Sequence, residues 1–432
     1  MGHARTVEGS HKVVDLASQG RSRAIPHTSS PCGAPSRTVP GVFVVEYAAG
    51  ALIVLVTVVS VLFILVLPRQ PQGLEKLTLI VNKAVHATFL NLSRLARTYE
   101  GKDQILAPTA PVALIAQLLF WAICLVFGFA FMLMPTTHSF GLSFTQSLTS
   151  LFTVGSIHVG GTANTGIDIA AGATWVVIVA LQIAYLPSLY SSFSRREALV
   201  TMLESRAGAP AWGPELLSRH QLVGITDALP QLYTDWEQWA AEVTESHTTY
   251  PVLLLFRSPE PWLNWIIGLL AVLDAGAMQL ALAPSSAPSS TRLCLRMGFT
   301  MFNRIALSLG QKVETDPDPD GDITLEFAEF ESAVNRLAEY GFPMERTAEE
   351  AWPQFKGWRI NYERSAYFIA DHFTAPLAPW SGTRRHLRVG VVEPLRPPHR
   401  SPGAAKFAAG RPEVVNPVRE RTSRWSTRRN PE

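Results

Sequence analysis

Apolar residues are spread unevenly along this chain: they gather into long runs between positions 42 and 193, and most charge lies outside. Residues 42–67 are apolar except for Glu46 and stop at Pro68-Arg69. Residues 111–134 and 167–190 are the second and third runs. A bilayer core of ~30 Å needs about 20 such residues, so each run predicts a transmembrane helix. Pro111 suits a first helical turn. The first run is too long for a signal peptide and lacks its small-residue cleavage site.

The flanking pattern is helical too. Residues 74–99 carry apolar side chains at helical spacing (Leu77, Ile80, Val81, Ala84, Val85, Thr88, Leu92, Leu95), which predicts an amphipathic helix on the membrane surface or against the pore. Ser194-x-x-Glu197 reads as a capping box opening a helix over 195–206. Beyond it, residues 214–373 read as mostly helical, with Leu232, Trp236, Trp239, Ala240 and Val243 on one core-facing side. The run 262–283 is long enough to span, but Asp274 in its middle would cost ~3 kcal/mol at a helix centre. Crossing would also carry Arg292, Arg296 and Arg304 outside. A buried helix of a cytoplasmic bundle is the preferred reading.

Charge orients the spans. Arg69, Lys76, Lys83, Arg94, Arg97 and Lys102 lie in 68–110, Arg195, Arg196 and Arg206 follow the third span, and 135–166 has no lysine or arginine. The positive-inside rule puts 68–110 and everything after 194 in the cytoplasm. Three spans then place the N-terminus outside, against Arg5, Lys12, Arg21, Arg23 and Arg37. Residues 1–41, rich in Ser, Pro, Gly and Arg, are expected to be disordered and in part to belong to an overlong gene model. A net charge of +2 gives no case for nucleic acid. Cys32, Cys124 and Cys294 have no metal spacing.

The chemistry concentrates in the uncharged outer loop. Ser143-x-x-Gln146 is a capping-box signature, and 144–152 has the length and amphipathic character of a short helix dipping into the membrane. Thr153-Val154-Gly155-Ser156 follows, and Thr153-Val154-Gly155 is expected to run back outward as extended backbone. Such backbone is tolerated at membrane depth only where protein buries it or it lines water. An ordinary external connection is the plainer alternative.

With that motif between two spans, residues 111–193 resemble the bacterial potassium-channel-like family, in which two helices surround a pore loop. The family filter reads Thr-Val-Gly-Tyr-Gly-Asp; this chain matches Thr153, Val154 and Gly155, then carries Ser156, Ile157 and His158. The resemblance implies backbone carbonyls replacing an ion's water, a homotetramer that closes the ring, and monovalent cations, potassium or sodium, as what passes. The departures leave the ion open, because a β-branched Ile157 does not copy a glycine with φ > 0. The third span becomes the pore-lining helix, with Gln182 its central polar residue and Pro187 a candidate bend for the gate; prolines are also simply frequent in membrane helices. His158 reads either as a proton-sensitive group at the outer mouth or as a merely solvated side chain.

Two stretches look functional and are read as structural. Asp316, Asp318, Asp320 and Gly321 resemble the start of a calcium loop, but its twelfth position is Phe327, so an acidic turn leading into a helix over 325–340 is favoured and no metal is assigned. Residues 380–432, basic and proline-rich, are expected to form a disordered tail, for which anionic lipid is a plausible partner.

The chain therefore reads as an all-α membrane protein: three transmembrane helices with a re-entrant pore helix and loop, plus a helical cytoplasmic domain over 194–379. No catalytic motif or cofactor fingerprint is present, so an ion-channel-like protein of the cell membrane is expected rather than an enzyme. A non-conducting receptor or scaffold signalling through its cytoplasmic domain is the alternative.

Overall fold

The computed structural model describes residues 40–66, 75–155, 161–384, 387 and 390–396. Most of the expected N-terminal disordered segment, the filter positions Ser156, Ile157 and His158, and the tail beyond 396 lie outside the described residues. Within them the chain forms thirteen α-helices and no strand. The stretches Phe43–Leu65, Tyr99–Thr137, Thr162–Ala207 and Trp265–Leu282 are each long and apolar enough to cross a membrane.

Helices α1 (Pro40–Leu65) and α4 (Thr109–Thr137) lie against each other. A Cβ added at Gly50 would sit 2.5 Å from the Gly128 carbonyl oxygen, and one at Gly128 would sit 2.7 Å from Val54 Cγ2. Two missing side chains thus let the backbones approach, as small residues do between membrane helices. Helix α2 (Glu75–Ser93) packs beside α4 and beside α3 (Tyr99–Leu106). Its His86 stacks on His372 with ring centroids 5.5 Å apart.

Helix α5 (Phe140–Leu151) folds back between α4 and α6 (Thr162–Ala207). The expected break at Ser194 is absent: α6 runs 46 residues through Pro187 and Ser194 into the following domain. Glu197 has no free helix N-terminus to cap there; its carboxylate instead accepts from Arg196 Nε at 2.7 Å.

Helices α7 (Gly213–Val223), α8 (Leu229–Thr249), α9 (Trp265–Leu282), α10 (Ser289–Ser308), α11 (Phe327–Glu339), α12 (Ala348–Arg359) and α13 (Glu363–His372) form the rest. Every residue of α9 is buried among them. Asn264 starts it by accepting from the backbone N–H groups of Ile266 and Ile267. Asp274, the charge at issue in that run, meets the Arg359 guanidinium and accepts from Tyr362 Oη at 2.7 Å. Leu232, Trp236, Trp239, Ala240 and Val243 are all buried, as their spacing predicts.

The start of the basic tail is not loose. Trp380, Ser381, Arg384 and Leu387 are buried, and Arg396 donates to the buried Glu215 carboxylate at 2.7 and 2.9 Å. Proline content and net charge predicted disorder, but a single buried carboxylate and an aromatic face at Tyr340, 3.8 Å from the Arg396 guanidinium, are enough to anchor this strap.

Candidate functional site

The hairpin from α4 through α5 to α6 carries the predicted motif. Its turn is built by small polar side chains. His138 takes the left-handed conformation that ends α4, and Ser139 is the residue ahead of α5. The helix thus begins a turn earlier than the Ser143-x-x-Gln146 signature suggests. Ser143 and Gln146 are inside α5 and serve its packing instead: Ser143 Oγ donates to the Ser139 carbonyl at 3.0 Å.

The amphipathicity of α5 is inverted. Its buried residues are Ser143, Gln146, Ser147, Ser150 and Leu151, whereas Phe140, Leu142 and Leu148 are exposed. Ser143, Gln146, Ser147 and Ser150 each donate to a neighbour, while Gln146 Oε1 stays without a partner. Ser147 Oγ donates to the Val126 carbonyl of α4 at 2.8 Å. Gln146 Nε2 and Ser150 Oγ donate to the two oxygens of Asp168, at 2.9 and 2.8 Å. Asn164 Nδ2 donates to Thr136 Oγ1 at 2.8 Å and joins the start of α6 to the end of α4.

These contacts fix where the end of α5 lies along α4 and α6. Val126 lies eleven residues before the end of α4, about 16 Å along its axis. A Cβ at Gly172 would lie 3.1 Å from the Ser150 carbonyl, and Gly172 is ten residues into α6, about 15 Å. The C-terminal end of α5, with its partial negative charge, therefore lies about 15 Å along from the C-terminal end of α4 and the N-terminal end of α6.

Thr153 and Val154 do not run extended from there. The Val154 N–H bonds the Thr149 carbonyl at 3.1 Å and the Thr153 N–H the Ser150 carbonyl at 3.3 Å. That pair of bonds is a Schellman cap, which places Thr153 in the left-handed region at φ 56°. The expectation of an extended strand fails because the last carbonyls of α5 need donors, and the next two N–H groups are the nearest. Gly155 follows at φ 120°, which suits a residue without Cβ. Thr153, Val154 and Gly155 are exposed on the single chain; Ser156 is outside the described residues.

Gln182 and Pro187 do not share a face. Gln182 is buried, on a stripe with Asn164, Asp168, Ala171, Ile178, Tyr185 and Leu189 that holds α6 against its own chain. Pro187 is exposed, on the side where Ile169, Val176, Ile183 and Tyr190 recur every seven residues. Within the single chain Gln182 thus packs against α6's own neighbours, and Pro187 lies on the exposed side.

Asp168, Asn164, Thr136 and Ser147 are the residues that sequence reasoning missed. The one signal for them was a carboxylate in the first turn of a span flanked by a loop without basic residues. Among the described residues, His, Cys, Asp and Glu side chains form no metal-binding group of three or more. In the acidic turn, Asp318 Oδ1 accepts from the Asp320 N–H at 3.1 Å and Lys356 Nζ donates to the Asp320 carbonyl at 2.9 Å. Comparison with protein-family models, with curated proteins and with solved structures finds no match to this chain.

Proposed function

We propose that the chain is a cation-channel-like protein of the cell membrane, in which four copies assemble a pore from their α5 loops. α1, α4 and α6 are the three spans, α5 is the re-entrant helix, and α7–α13 form the cytoplasmic domain. The observation that carries this reading is the seating of α5. Its polar side is buried between α4 and α6, its apolar side is exposed, and its C-terminal end stops about 15 Å below the ends of the long helices. A loop on a water-exposed surface has no reason to turn its apolar side out. A helix placed among lipid or sister copies does.

The local charge favours a cation. The Asp168 carboxylate and the negative end of α5 stand close to Thr153, and residues 135–166 contain no lysine or arginine. One chain supplies one such loop, and a ring around an ion requires symmetric copies. The lipid bilayer is the other partner, in contact with the exposed apolar sides of α1 and α4, including Leu52, Leu55, Ile115 and Ile123.

A second reading, a non-conducting receptor or scaffold, is favoured by one feature. The exposed stripe of α6 is apolar at Ile169, Val176 and Ile183, and a pore lined that way excludes water. Ion flux into liposomes carrying the purified chain separates the two. Flux of potassium and sodium, with a bulky organic cation excluded and block of Thr153→Cys by a thiol reagent, supports the pore. Absence of flux across a range of pH and voltage supports the scaffold.

A further inference from the structure

The membrane-spanning bundle has a polar level where its apolar core is interrupted. Leu114 and Tyr185 belong to one buried cluster, together with Ala113, Leu189 and Leu253. Trp121 and Ile178 belong to another, with Val61, Leu125 and Phe129. Seven residues separate Leu114 from Trp121 on α4 and seven separate Ile178 from Tyr185 on α6, and with Asn164 of α6 bonded to Thr136 of α4 the two helices run antiparallel in matched register. Gln117, three residues after Leu114, then falls opposite Gln182, three residues before Tyr185. Both glutamines are buried.

Helix α1 brings a third contribution. Gly50 meets Met132, Val54 meets Gly128, and Val61 shares its cluster with Trp121, which fixes an antiparallel register with α4. Ser60 is thereby level with Ala122, next to Trp121 and about 7–8 Å along the axis from the glutamine pair. Thr57, one turn earlier in α1, satisfies its hydroxyl on the Ile53 carbonyl at 2.8 Å; Ser60 Oγ finds no such partner.

Four buried side-chain atoms at this level have no hydrogen-bond partner within the chain: Ser60 Oγ, Gln117 Nε2, Trp121 Nε1 and Gln182 Oε1. Two are pure donors, one is an acceptor, and the serine oxygen also accepts. Left alone in an apolar bundle, each such group is costly. The set is the complement of a water molecule, which gives two hydrogen bonds and receives two, and buried waters settle where two to four polar partners converge.

We propose that α1, α4 and α6 enclose a structural water site between Ser60, Gln117, Trp121 and Gln182. It accepts from the Gln117 amide and the Trp121 indole and donates to Gln182 Oε1 and Ser60 Oγ. The site joins the outer and inner halves of the bundle core and does not depend on whether the protein conducts ions.

The test uses the full chain, isotopically labelled, in lipid nanodiscs. The Trp121 indole N–H resonance is assigned by its loss in Trp121→Phe. The expected result is a magnetisation-transfer cross-peak between that indole and water, lost in Gln182→Leu and in Gln117→Leu with helix content unchanged. Two variants are used so that misfolding of one leaves the other to decide. An indole with no water cross-peak in the parent protein, or a cross-peak that persists unchanged in a folded glutamine variant, overturns the proposal.

Discussion

Replacing Thr153 by glycine should make the end of α5 more stable. Thr153 sits at φ 56° in the cap of that helix, a conformation that costs an L-residue ~1–2 kcal/mol and is worst for a β-branched side chain. Glycine removes that strain but adds unfolded-state entropy, offsetting ~0.5–1 kcal/mol. The side chain is exposed, and its Cγ2 lies 3.6 Å from where a Cβ on Gly172 would be, so little packing is lost. The net expectation is about 1 kcal/mol in favour of the cap, with the sign set by strain relief. Hydrogen exchange at the Thr153 and Val154 amides reads that local opening directly, and should slow about five-fold. Thr153→Ala keeps the Cβ and should slow exchange less. Unchanged or faster exchange in a Gly variant of normal helix content would refute the reasoning, because the left-handed residue would then carry no cost.

Asp168→Ala strands the Gln146 amide and the Ser150 hydroxyl, and should loosen α5 by ~1–3 kcal/mol. Faster exchange across α5 would show it, with Asp168→Asn milder because its amide oxygen still accepts. Gly128→Val drives a side chain into Val54 and the Gly50 carbonyl, and should separate α1 from α4, read as lost cross-linking between cysteines placed on the two helices. Burial pushes the Glu215 carboxyl up, but hydrogen bonds from Arg396 and Arg219 outweigh it and hold it below the ordinary range. Its contribution is present above the unfolded value of ~4.3 and is lost as pH falls through the lower folded value. Protease sensitivity of the 390–396 strap should therefore rise on acidification, and Glu215→Gln should expose the strap at every pH. Arg359→Met leaves Asp274 and Glu363 buried without their cation, and should destabilise the α9 bundle by ~3–5 kcal/mol in thermal unfolding.

The sequence made the long apolar runs and the core side of α8 legible, but not which side of α5 is buried. The long apolar runs became long helices, and the Trp236–Trp239 side of α8 became core because spacing of three and four residues has one structural outcome. Boundaries were less legible. Ser143 and Ser194 both carry capping-box patterns, yet neither starts a helix, since such a pattern acts only where the chain leaves N–H groups free. The candidate loop was picked out by its motif, but its shape was not. Thr153 and Val154 were found by motif, whereas their cap geometry depends on the final carbonyls of α5. Asp168 was missed because its role comes from two donors 18 and 22 residues away, which no local pattern encodes.

The continuous α6 ties the two halves of the molecule together mechanically. At 46 residues it is about 69 Å long, so from Thr162 it reaches deep into the helical domain. The domain grips it at two levels. Arg196, buried in α6, donates to the carbonyls of Leu253 and Phe256 at 3.1 and 2.8 Å and meets His247 Nε2 at 3.0 Å. Burial first, and then that guanidinium, hold His247 well below its ordinary range, so it faces Arg196 as a neutral acceptor. Lower down, Arg219 caps the end of α6 through the carbonyls of Glu204 and Ser205, and bonds Leu395 of the strap. Sliding the domain along α6 would break charge-assisted bonds at both levels and leave a buried arginine unpaired. Lateral displacement of the domain must therefore carry α6 with it, and through Asp168 and Gly172 it reaches the end of α5.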